Sequence, residues 1–138
     1  MRMRSDDKRD EIEKYLAEFE SIMPLDFEEY KKSIKQKAYS ERYFEKIVEA
    51  VIDLTYILIK EKGLKISEDD QNSFNVLRDN KIISEVTCEK LKLAKGMRNV
   101  ISHEYGTIDD RIVFNSVTKN LIRDVKRFLE EIGNEKIV

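Results

Sequence analysis

Apolar residues recur along this chain at intervals of three and four, and no stretch shows sustained alternation of the kind a β-strand requires. Ile12, Tyr15, Leu16, Phe19, Ile22 and Met23 form one helical stripe, which Pro24 closes. Phe44, Ile47, Val48, Val51, Leu54, Thr55 and Leu58 form a second, within a helix expected to start near Asp26 and to stop at Gly63. Ser67 is the expected N-cap of a short third helix carrying Phe74 and Leu77. Ser84 is that of a fourth, with Cys88, Leu91, Ala94, Met97 and Ile101 on one face. Thr107 or Asp109 starts a fifth, whose stripe is Phe114, Val117, Leu121, Val125, Phe128 and Ile132. One proline and four glycines leave few places to turn, so the pattern predicts an all-α chain of long helices.

The second helix carries more apolar surface than one stripe needs. Tyr43, Ile52, Tyr56 and Ile59 lie off it, and burial among several neighbouring helices or contact with another chain explains them equally well. With 138 residues the chain is read as a single domain, residues 1–138. Hydrophobic residues at 41% exclude intrinsic disorder. Twenty-six basic against 28 acidic residues give a net charge of −2, so any contact with nucleic acid must be local. The lone cysteine, Cys88, cannot form an internal disulfide, and no long apolar run or signal-peptide pattern is found; both point to the cytoplasm and away from a membrane.

The chemistry concentrates in one place. The only histidine lies in Arg98-Asn99-Val100-Ile101-Ser102-His103-Glu104-Tyr105, an Arg-x4-His-x-Tyr string at the end of the fourth helical pattern. Arginine is a permanent cation that grips a phosphate with parallel hydrogen bonds, and histidine exchanges protons near neutrality. Together they are a minimal kit for cleaving RNA through its own 2′-hydroxyl. At roughly 100° per residue, however, Arg98 and His103 lie about 140° apart on an unbroken helix, whereas Arg98, Ser102 and Tyr105 share a face. Either the helix distorts before Gly106 so that His103 swings round, or two chains each bring a motif to a shared cleft. The second arrangement also supplies a second histidine for paired acid and base roles.

The string from Gly96 to Tyr105, followed by Gly106-Thr107-Ile108-Asp109, resembles the signature of HEPN-domain toxins from prokaryotic HEPN/MNT toxin–antitoxin pairs, and the helix layout is similar over most of the chain. The resemblance implies an up-and-down bundle of about five helices, a homodimer with both motifs lining one cleft, and a metal-independent endoribonuclease without a cofactor. Arg98 and His103 would be its catalytic residues, and Asn99 and Ser102 would support or orient them. Its partner would be a minimal nucleotidyltransferase antitoxin that attaches AMP to the motif tyrosine, here Tyr105.

Each residue also has a plainer explanation. Arg98 alone reads as a cation at the negative end of a helix dipole, His103 as a capping group, Tyr105 as a buried ring, and Asn99 as a backbone partner. Cys88 reads as core. Glu45, Glu49 and Asp53 step along one helix face and read as a solvated row or as partners of basic residues. Lys90, Lys92, Lys95 and Arg111 flank the motif, where they guide a phosphate backbone or are ordinary surface charge. The competing function is a non-catalytic helical module that binds a nucleotide or occupies a nucleotidyltransferase.

Overall fold

A computed structural model describes residues 1–103 and 109–135, the last two by their backbone only, and those residues form helices and short connections with no strand among them. The helices are α1 (Arg4–Ile22), α2 (Phe27–Lys32), α3 (Ile34–Glu61), α4 (Asp70–Asp79), α5 (Glu85–His103), α6 (Asp110–Asn115) and α7 (Leu121–Glu135); a π-helical turn, Ser116–Asn120, joins the last two. None of the described helices is long and apolar enough to cross a membrane.

α3 is the axis of the bundle. It packs against α1, α2, α4 and α5, and Ile52 and Ile59, off the main stripe, are buried inside the chain; Tyr43 and Tyr56 are partly buried. The surplus apolar surface is therefore accounted for by neighbours within one molecule. α3 ends as its glycine predicts. Gly63 adopts φ +66°, and the Leu64 and Gly63 amides donate to the Ile59 and Lys60 carbonyls at 2.9 and 3.1 Å, satisfying groups left open at the helix end.

Two expected boundaries move. The single helix from Asp26 to Gly63 breaks at Ser33, whose backbone is extended and whose hydroxyl accepts the Gln36 amide at 3.1 Å. Asp26 caps the short α2, accepting the Glu29 amide at 2.8 Å, so two good capping residues seven apart make two helices. The break lets Tyr30 turn into the core against Phe114, with ring centroids 5.4 Å apart. The third predicted helix starts later than Ser67. The Asp69 carboxylate accepts the Asn72 amide at 2.8 Å and is the true cap of α4, while the Ser67 hydroxyl donates to the Asp69 carbonyl.

Ser84 caps α5 as expected, accepting the Thr87 amide at 3.1 Å, and Asp109 is the cap of α6. The α5 cap is completed from the far end of the chain. Glu131 of α7 accepts the Ser84 amide at 2.7 Å, the Ser84 hydroxyl at 3.0 Å and the Thr87 hydroxyl at 2.7 Å. A carboxylate at a helix N-terminus is favoured by the helix dipole as well as by these bonds, so α7 fixes where α5 begins.

Candidate active site

α5 carries the motif and is α-helical from Glu85 through His103. Its inner face explains its position: Thr87, Cys88, Leu91 and Ile101 are buried against the rest of the bundle. Cys88 is core, as its place in the stripe predicted. Its thiol lies 3.5 Å from the Asn75 side-chain oxygen, and burial pushes its pKa up, which suppresses the nucleophilic thiolate.

Arg98 emerges at the edge of this inner face. Its Nη2 donates to Glu49 Oε1 of α3 at 2.6 Å, in a pair whose side chains are 25% and 49% exposed. Glu49 belongs to the acidic row read from the sequence, and the row does serve as partner to basic residues: one turn further on, Asp53 lies 3.8 Å from Lys8 of α1. Arg98 Nε is buried and has no hydrogen-bond partner among the described residues. Among the described residues the guanidinium is thus anchored through one nitrogen, with other N–H groups of its fork not engaged by them. Asn99 is half-buried beside it, and Ser102 and His103 are exposed.

Because α5 is regular through His103, no distortion ahead of that residue rotates it toward Arg98. The two stay about 140° apart around the helix, separated by an arc that holds Lys95, Asn99 and Ser102. Tyr105, with Glu104 and Gly106, lies outside the described residues. The flanking cations have different surroundings. Lys92 lies 3.5 Å from Glu89, and Arg111 stacks 4.1 Å above the Phe27 ring, while Lys90 borders a cleft between α5 and the π-helical turn.

Asp124 is a polar residue that sequence reasoning missed. It sits in the apolar stripe of α7 between Leu121 and Val125, and its side chain is only 6% exposed, paired to Arg123 at 3.1 Å. The signal was present in the sequence as an acid at a core-facing angle.

An all-α bundle with Arg-x4-His on one helix is a defined class of protein. Residues 12–132 match the family model described as HepT-like, ribonuclease HepT-like, and the chain belongs to that family. Among curated proteins it is similar to the mRNA nuclease HepT of Shewanella oneidensis, 30% identical over 87 residues that span 63% of this chain and 65% of that one. It is also similar to the tRNA nuclease HepT of Aphanizomenon flos-aquae, 29% identical over 131 residues, 90% of this chain and 88% of that one. In fold it is similar to an AMPylated Shewanella oneidensis HEPN toxin in complex with MNT antitoxin, with TM-score 0.87, 22% identity and coverage of 97% and 99% of the two chains. A toxin–antitoxin structure with AMP-PNP gives TM-score 0.84 at 21% identity, covering 94% and 97%.

Proposed function

We propose that this protein is the toxin of a toxin–antitoxin pair, a metal-independent endoribonuclease that works as a homodimer with Arg98 and His103 around one cleft. A nucleotidyltransferase antitoxin silences it by attaching AMP to Tyr105. The observation that carries the reading is the regular α5. It holds an anchored arginine and an exposed histidine on different sectors of one helix, in a chain of the HepT-like ribonuclease family. A two-fold axis near the end of α5 supplies what one helix cannot, the arginine of one copy facing the histidine of the other.

The chemistry is transesterification. The ribose 2′-oxygen attacks the adjacent phosphorus as its proton leaves, and the bond from phosphorus to the 5′-oxygen breaks. The products are a 2′,3′-cyclic phosphate and a 5′-hydroxyl. His103 takes the first proton or delivers one to the leaving oxygen, and Arg98 stabilises the charge that gathers on the phosphorane-like transition state. General acid–base help of this kind is worth ~10²–10⁴-fold. His103→Ala is therefore expected to lose about that much cleavage while keeping the wild-type thermal midpoint, and excess chelator should leave wild-type cleavage unchanged. Cleavage that stops in chelator and returns with magnesium contradicts the proposal.

A further inference from the structure

We propose that the cleft between α5 and the π-helical turn is a guanine subsite for the RNA strand, with the Asp124 carboxylate reading the base. This rests on the ribonuclease reading above. The cleft has a volume of about 220 Å³. That is below the ~300–1,000 Å³ of sites for drug-sized ligands, so its capacity suits one planar base and not a whole nucleotide. Its walls suit the faces of such a ring: Phe44, Ala94, Met97 and Leu121 line it.

Its polar end carries the selectivity. Asp124 is an ionisable group in a largely apolar setting, and among the described residues its partner is Arg123, whose own side chain is 53% exposed. That contact uses one carboxylate oxygen, and a carboxylate has about four lone-pair sites to satisfy. A ligand presenting two adjacent N–H donors can engage both carboxylate oxygens at once, a charge-assisted pair of parallel hydrogen bonds. Among the four RNA bases only guanine presents two donors side by side, N1–H and the N2 amino group. Adenine and cytosine set one amino group beside an acceptor nitrogen, which faces the second carboxylate oxygen unfavourably, and uracil sets its N–H between two carbonyls.

An irregular turn of helix borders the cleft. Ser116 and Asn120, the first and last residues of the π-helical turn, both border it, and π-turns are rare and frequently found at functional sites. Its position also fits a substrate strand. Ala94 lies one turn before Arg98 on the same face of α5, and Lys90 stands at the border of the cleft. Around the helix axis Ala94 and Met97 are about 40° and 100° to one side of Arg98, and His103 about 140° to the other. The phosphate-gripping residue therefore lies within one turn of the base subsite on the same helix.

Two variants test this. Asp124→Asn keeps the shape but replaces one acceptor by a donor; Leu93→Asp, at a cleft-lining residue 67% exposed, places a repelling charge at the mouth without touching the core. Cut sites of the full-length protein are mapped on an RNA of random sequence, and binding of GMP, AMP, CMP and UMP is measured by titration calorimetry, with thermal melts confirming that each variant is folded. The wild type should favour one fixed position of guanosine beside the cut by about 5- to 150-fold, the range of a bidentate base contact, and both variants should lose that preference while still cutting. Cleavage without base preference, or a guanosine preference that survives in both variants, overturns the subsite and leaves the nuclease reading standing. GMP binding without a guanosine preference in the cut sites assigns the cleft to free nucleotide and equally overturns it. If no RNA is cut at all, the nuclease reading fails and calorimetry decides alone: GMP binding selective over the other three and lost in both variants supports the guanine site, and its absence removes it.

Discussion

Glu49 of α3 holds the guanidinium of Arg98 at 2.6 Å, through one nitrogen and one oxygen. This contact ties the motif helix to the central helix at the point where phosphate is expected to bind. It has two opposed effects: it holds the arginine in one orientation, and it places a negative charge beside an anionic substrate.

Glu49→Ala separates them. Charge-assisted hydrogen bonds contribute roughly 1.5–3 kcal/mol, and their value here lies in preorganising the arginine for the transition state. Single-turnover cleavage should show a kcat at least about tenfold lower with an unchanged or lower KM, because repulsion of the RNA is relieved. A variant that cuts faster than wild type shows instead that the carboxylate locks Arg98 away from substrate.

Glu131 makes a prediction about stability alone. Its carboxylate receives three hydrogen bonds from the start of α5. Loss of an N-terminal cap typically costs ~0.5–2 kcal/mol. For a chain of this size that corresponds to a fall in the thermal midpoint of roughly 2–8 °C in Glu131→Ala. Cleavage per folded molecule at low temperature should stay at the wild-type level, since the cap is at the opposite end of α5 from the motif. An unchanged midpoint shows the cap to be dispensable.

Tyr105 lies outside the described residues, and its role is tested chemically. Tyr105→Phe removes the acceptor oxygen but keeps the ring. Incubated with its partner nucleotidyltransferase and ATP, the wild type should gain the mass of AMP and stop cutting, because a bulky anion close in sequence to Arg98 competes for the site by volume and by charge. The variant should cut RNA before and after the incubation. Equal adduct mass and equal silencing in the variant place the acceptor elsewhere.

The helices were largely legible in the sequence because each buries one periodic face, and most of their ends carry recognisable caps. The reading failed where two signals of similar strength competed. Ser33 reads as an ordinary residue inside a long helix until its hydroxyl is seen capping α3, and Asp69 lies two residues past the equally plausible Ser67. The π-helical turn left no mark, because Val117 within it and Leu121 just after it keep a helical interval. At the site, the motif residues were visible as a string, and the acidic row was visible as a row. That Glu49 is the residue that meets Arg98 depends on how α3 crosses α5, which no single-helix pattern contains. Asp124 was visible as an acid at a core-facing angle, but the cleft it borders depends on how α5 and α7 pack, which the stripe does not contain.

Mixing inactive protomers tests whether the cleft is composite. Arg98→Ala and His103→Ala chains are purified separately, each with little or no cleavage, then mixed in equal amounts under conditions that exchange subunits. If each site takes its arginine from one copy and its histidine from the other, half the molecules become heterodimers with one intact site of two, and about a quarter of wild-type cleavage returns. If each site is built within one chain, no heterodimer contains an intact site. Activity no greater than that of either parent, with subunit exchange demonstrated by mass, shows that the two chains do not share a site.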